Sequence, residues 1–80
     1  MYDLGWMYEH GQGVDKDYAK ARVRYQKAAD VGHPDAMNDL GLLYAKGLGG
    51  AQDYGKAREW YQKAADAGNK YAKLALLRLH

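Results

Sequence analysis

A fixed internal period constrains this chain more than any other feature. Tyr25-Gln26-Lys27-Ala28-Ala29-Asp30 returns letter for letter as Tyr61-Gln62-Lys63-Ala64-Ala65-Asp66, 36 residues on. The same offset pairs Leu4-Gly5 with Leu40-Gly41, Tyr8 with Tyr44, Gly11 and Gly13 with Gly47 and Gly49, and Lys20-Ala21-Arg22 with Lys56-Ala57-Arg58. About 20 of the 36 pairs in one unit are identical without a gap, which marks a tandem-repeat protein. The expected organisation is one repeat domain over 1–80. It divides into a first repeat over 1–33, a second over 34–69 and a terminal helix over 70–80.

Within each unit the apolar spacing is helical. Leu4, Tyr8 and Gly11 stand at i, i+4 and i+7, which predicts a helix from about Tyr2 to His10, stopped by Gly11. The segment from Gly11 to Lys16 reads as a loop whose two glycines supply positive φ angles. A phosphate cradle is the competing reading of two close glycines, but no Lys-Ser/Thr and no preceding strand complete it. Asp17 reads as an N-cap. Tyr18, Ala21, Tyr25 and Ala28 then form one buried stripe, with Lys20, Val23 and Lys27 opposite. Gly32 ends this helix, and Pro34 opens the next in a first turn, where its missing N–H costs nothing.

The second unit repeats the plan. A helix is expected from about Pro34 to Lys46, with Ala36, Leu40, Tyr44 and Gly47 inward. A loop from Gly47 to Gln52 leads to a helix capped by Asp53 and lasting to about Ala67. Asn69 caps a last helix, from Lys70 to about Leu79. Short connections make such helices antiparallel neighbours. Gly5 and Gly41 fall mid-helix, where Gly costs about 1 kcal/mol against Ala. A close crossing by the partner helix is the expected reason. Leu77 stands at the third equivalent position.

Composition removes whole classes of function. Cys, Ser and Thr are absent, so disulfides, thiolate metal sites and hydroxyl or thiol nucleophiles are impossible. Glu9 and Glu59 are the only glutamates, on different helices, which leaves a paired-carboxylate hydrolase site unsupported. His10, His33 and His80 have no His at i+4, with only Glu9, Asp35 and Asp39 nearby, and His33 reads as a turn residue. No metal, no cofactor and no enzymatic activity are expected. Lys20, Arg24, Lys27, Lys56 and Lys63 could form a basic strip, but Asp30, Glu59 and Asp66 interrupt it and the net charge is only +2. It reads as a solvated face, so no nucleic-acid partner is expected. No apolar run approaches the ~18 residues of a membrane span, and the start lacks the segments of a signal peptide. A soluble chain of unstated compartment is expected.

Leu-Gly-x2-Tyr followed by Ala-x3-Tyr occurs twice, as Leu4-Gly5, Tyr8, Ala21, Tyr25 and as Leu40-Gly41, Tyr44, Ala57, Tyr61. This resembles the helix-pair signature of tetratricopeptide-type repeats, whose unit is about 34 residues. The longer Gly-x-Gly loop, with Tyr-x-Lys-Ala and Tyr-x-Lys-Ala-Ala-x-x-Gly after it, is similar to the Sel-one-like repeat family (SLR). Three features depart from the family pattern. Arg24 stands where the second copy has Trp60, Gly50-Ala51-Gln52 replaces Val14-Asp15-Lys16, and nothing matches Pro34 to Ala36 in the first copy. The last departure reads as a fragment of a longer array or a shortened one.

The resemblance implies an all-α, right-handed α-solenoid of antiparallel helix pairs, two repeats plus a terminal helix. It implies a scaffold or adaptor role in which a peptide or protein partner binds the concave face. A cysteine-rich bacterial branch is linked to β-lactam binding and hydrolysis, but its cysteines are missing here and its activity is not implied. The concave residues by this analogy are Tyr2, Trp6, Glu9 and His10, then Asp35, Asn38, Asp39, Leu42 and Lys46, then Tyr71 and Arg78.

A second expectation is a self-assembling scaffold. Solenoid ends need polar caps or a cover. Ala72, Ala75, Leu76 and Leu79 face back onto the preceding helix pair, leaving Leu74 and Leu77 outward, while Met1, Tyr2 and Met7 lie at the other end. Two such ends could meet as a homo-oligomer.

Overall fold

The computed structural model describes residues 2–79, residue 2 by its backbone alone. Five helices follow one another: α1 Tyr2–His10, α2 Tyr18–Asp30, α3 Pro34–Lys46, α4 Tyr54–Asp66 and α5 Lys70–Arg78. No strand occurs among the described residues. Each helix packs on the next in the chain, giving the stacked helix pairs of an α-solenoid.

The caps explain the boundaries. Asp17 Oδ1 accepts from the Lys20 backbone N–H at 3.0 Å, and Asp53 Oδ1 accepts from Lys56 at 2.9 Å. Asn69 Oδ1 accepts from Ala72 N–H at 3.0 Å, and His33 Nδ1 from Ala36 N–H at 3.3 Å. His33 is thus the N-cap of α3, more than the simple turn residue the sequence suggests. Gly47 closes α3 in the left-handed region, at φ 68°.

Two clusters form the core. The first joins Ala21, Tyr25, Ala28 and Ala29 of α2 to Ala36, Leu40 and Leu43 of α3, with Trp60 of α4 at its margin. The second joins Ala57, Tyr61, Ala64 and Ala65 of α4 to Ala72 of α5. Met37 and Tyr44 border both, so the repeats share one continuous interior. Alanines let the helix backbones approach, and tyrosine rings fill the space between them. Tyr18 and Tyr44, expected inward, are only half-buried, whereas Leu43 is fully enclosed.

The mid-helix glycines have a steric reason. A Cβ on Gly41 would lie 2.9 Å from two ring carbons of Tyr61 and 3.2 Å from the Ala57 carbonyl oxygen. On Gly5 it would meet the Tyr25 ring at 2.8 Å. The close approach is therefore made mainly by a tyrosine ring of the partner helix.

The two repeats are also joined by an arginine. Arg22 of α2 donates through Nη2 to the Leu43 carbonyl at 3.1 Å and the Leu48 carbonyl at 2.8 Å, and through Nε to Leu48 at 3.2 Å. Its guanidinium stands 4.2 Å from the centre of the Tyr44 ring. One side chain thus holds the end of α3 and the loop after it against the first repeat. Gly49 lies so close to the Tyr18 carbonyl that a Cβ would overlap it.

Candidate functional site

The first helices of the units, α1, α3 and α5, carry all the residues expected on the concave face. On α1, Trp6 is 39% exposed and its ring stands 4.4 Å from that of His10, tilted by 44°. Glu9 is half-buried because it accepts from the Tyr25 hydroxyl at 2.6 Å. Its carboxylate therefore anchors α2 to α1 as well as facing outward near His10 Nε2, 4.0 Å away. The side chain of Tyr2 lies outside the described residues.

On α3 and α5 the structure brings several expected residues together. Asp35, Asn38, Asp39, Asn69 and Tyr71 line one cavity of about 220 Å³. Asn69, which the sequence marks only as a cap, is 7% exposed and makes a second bond, donating through Nδ2 to Asp35 Oδ1 at 2.8 Å. That bond ties the start of α5 to the start of α3 and fixes the carboxylate. Asp39 also acts on the wall behind it: Tyr61 has its pKa raised, first by burial and then by the Asp39 charge. The phenol beside this carboxylate therefore stays neutral well into alkaline solution.

The remaining candidates are placed differently. Leu42 is half-buried and packs on the second core cluster, so only part of it faces outward. Lys46 and Arg78 are exposed in the last turns of α3 and α5, away from the cavity lining. Tyr71 is 73% exposed on the cavity rim. Leu74 and Leu77 are exposed on α5. The repeat offset sets Leu74 at the position of Asn38 and Leu77 at that of Gly41. Leu74 thus shares the groove register, while Leu77 stands where Gly41 receives a tyrosine ring. Met1 and His80 lie outside the described residues.

Lys20, Lys27, Lys56 and Lys63 of the second helices are exposed, and Arg24 is half-buried. Three of these cations sit over aromatic rings, Lys63 above Trp60 at 4.6 Å, Lys20 above Tyr8 at 5.5 Å and Lys56 above Tyr44 at 5.5 Å. Among the described residues, no group of three or more His, Cys, Asp or Glu could hold a metal ion. No described helix is long and apolar enough to cross a membrane.

Comparison with known proteins places this geometry. The family model described as Sel1 repeat matches residues 1–33 and 34–69. A Sel1 repeat protein from Oxalobacter formigenes superposes with a TM-score of 0.93 at 47% identity, over 96% of this chain and 58% of that one. A protective antigen of uropathogenic Escherichia coli strains, displaying an SLR fold, gives 0.87 at 39% identity, over 89% of this chain and 15% of that one. Helicobacter pylori cysteine-rich protein B gives 0.88 at 32% identity, over 94% and 56%. The chain thus spans little more than half the length of two of these proteins and a small part of the third. Among curated proteins, none matches at a significant level.

Proposed function

This chain belongs to the Sel1 repeat family, and from that premise we propose that it holds a peptide or protein surface in the groove of its first helices, without catalysis. Sel1 repeats are a helical protein-interaction module, and proteins built from them are in general non-enzymatic scaffolds. The observation that carries the reading is the cavity between α3 and the start of α5. At about 220 Å³ it is smaller than the roughly 300–1,000 Å³ of small-molecule sites. It suits one side chain of a larger ligand. Asn38 and Tyr71 on its wall, with Trp6 exposed on α1, offer the amide and aromatic groups common at such contacts.

Random linear peptides displayed on phage and selected on the immobilised chain supply the test. Selected peptides should bind Asn38→Arg at least about tenfold more weakly, because the new side chain fills the cavity. Undiminished affinity for every selected peptide would move the ligand to another face.

A second reading is self-assembly through α5, favoured by the exposure of Leu74 and Leu77, 51% and 75%. Lys70, Lys73 and Arg78 give α5 three cations and no carboxylate, so two copies meeting α5 to α5 would repel. Light scattering separates the readings: monomer mass at high concentration removes the second, and a discrete oligomer reduced to monomer by Leu74→Lys with Leu77→Lys supports it.

A further inference from the structure

We infer that the outer face of α2 is a second docking surface, apart from the first-helix groove, for an acidic peptide segment with one apolar side chain. Charge placement is the first observation. The whole chain carries only +2, yet α2 holds Lys20, Arg22, Arg24 and Lys27 against Asp30 alone. Asp30 is the last residue of the helix, and its Oδ1 accepts from Gln26 Nε2 at 2.8 Å. Arg22 directs N–H groups at neutral carbonyls, and Lys20 stands over the Tyr8 ring, so these contacts cancel neither charge.

The surface around Val23 is the second observation. This side chain is 52% exposed and lines two neighbouring cavities, of about 350 and 320 Å³. Lys20 and Arg24 line the first with Tyr8, and Arg22 and Lys27 line the second with Tyr44. Neither lining holds a carboxylate. The fold does not require a valine here, since Glu59 stands at the same position of α4 and is also exposed. An apolar group set among cations complements a leucine or phenylalanine flanked by carboxylates. A nucleic acid would use the cations and leave Val23 without a partner.

The second repeat supplies the third observation, because the place beside its own ring already receives a side chain. Tyr44 corresponds to Tyr8, and Lys56 stands over it at 5.5 Å as Lys20 does over Tyr8. There Arg22 enters from the neighbouring repeat, 4.2 Å from the ring centre, and Gly50 leaves it room. In the first repeat Val14 stands in place of that glycine, Val23 in place of Glu59 and Arg24 in place of Trp60. Relative to its counterpart, the seat beside Tyr8 lacks a carboxylate, has one more cation and lacks the space a guanidinium needs. It disfavours arginine and favours a carboxylate.

Random linear peptides on phage, recovered on the Asn38→Arg chain, test this with the groove filled. Aspartate or glutamate should be enriched beside one large apolar residue. Val23→Glu installs the residue of the second repeat and should weaken the recovered peptides at least about tenfold. Lys20→Gln and Arg24→Gln should each weaken them about twofold to fivefold, the usual worth of an exposed ion pair. Lys73→Gln, which removes one charge from α5, should change nothing. Circular dichroism of each variant checks that the helices persist. No recovered peptide, no acidic enrichment, or binding indifferent to Val23→Glu would overturn the inference and leave the groove reading untouched. Oligothymidylate that displaces the peptides at physiological salt would assign these cations to nucleic acid and overturn it as well.

Discussion

Arg22 donates to the Leu48 carbonyl at 2.8 Å across the boundary between the two repeats, 26 positions along the chain. The same guanidinium reaches Leu43 and stacks on Tyr44. Arg22→Ala should destabilise the fold by about 2–3 kcal/mol, since several charge-assisted bonds to part-buried carbonyls are lost together. Arg22→Lys should not restore it, because a point charge cannot fork and stack as the planar group does. Arg58 occupies the same position in the second repeat and is exposed, so Arg58→Ala should change stability by less than about 0.5 kcal/mol. Thermal and urea unfolding of the three variants check this.

Gly41→Leu should destabilise by about 1–3 kcal/mol through overpacking against Tyr61, despite the gain in helix propensity. Gly55→Ala is the control. Its Cβ would meet only Asp53 Oδ1, at 3.3 Å, and Ala19 already fills the equivalent position in the first repeat beside an intact Asp17 cap. Gly55→Ala should stabilise by about 0.5–1 kcal/mol. A higher melting temperature for Gly41→Leu would remove the steric account of that glycine.

Repeat period, helix order and the caps Asp17, Asp53 and Asn69 were legible in the sequence, because each rests on local chemistry, whereas the capping role of His33 was not. The first-helix groove was legible only through the family resemblance. Its lining cannot be read from spacing, since Asn69 and Tyr71 meet Asp35 and Asp39 through the stacking of units. The Arg22 joint escaped for the same reason. Its signal was present, an arginine kept in both copies beside a buried alanine, but its acceptors are backbone carbonyls and carry no sequence mark. The departure of Gly50 from Val14 has its explanation there: a Cβ at Gly50 would lie 2.8 Å from Arg22 Nη1. Leu42 was assigned to the groove by register, and the second core cluster claims part of it.

Gly49→Ala should cost more than Gly13→Ala. Both glycines have positive φ, 79° and 77°, so both substitutions carry the strain of the left-handed region, about 1 kcal/mol. Only Gly49 also lies against the Tyr18 carbonyl, whereas a Cβ on Gly13 would touch only Met7 Cε at 3.4 Å. The difference should appear as a lower urea midpoint for Gly49→Ala, and equal midpoints would deny the loop its role in joining the repeats.

Alkaline pH should unfold the chain through Tyr61. Folding raises its pKa above 10.0 by burial, assisted by the Asp39 charge. The folded state thus favours the neutral phenol. The resulting stability is complete below about pH 10 and is lost as the pH rises through the folded value. Tyr61→Phe should reduce this alkaline loss, and Asp39→Asn should bring the phenol's titration lower. Tyrosinate absorbance followed alongside helix content checks both signs.

The central claim is that the first helices, and the cavity between α3 and α5 above all, form the binding face. Backbone and side-chain amide shifts of the isotope-labelled chain, recorded while a selected peptide is titrated in, test it most directly. The account predicts saturable shifts at Asp35, Asn38, Tyr71 and the Asn69 side-chain amide, with smaller ones at Trp6. Shifts confined to the exposed faces of α2 and α4, with the Asn69 amide unmoved, would contradict it.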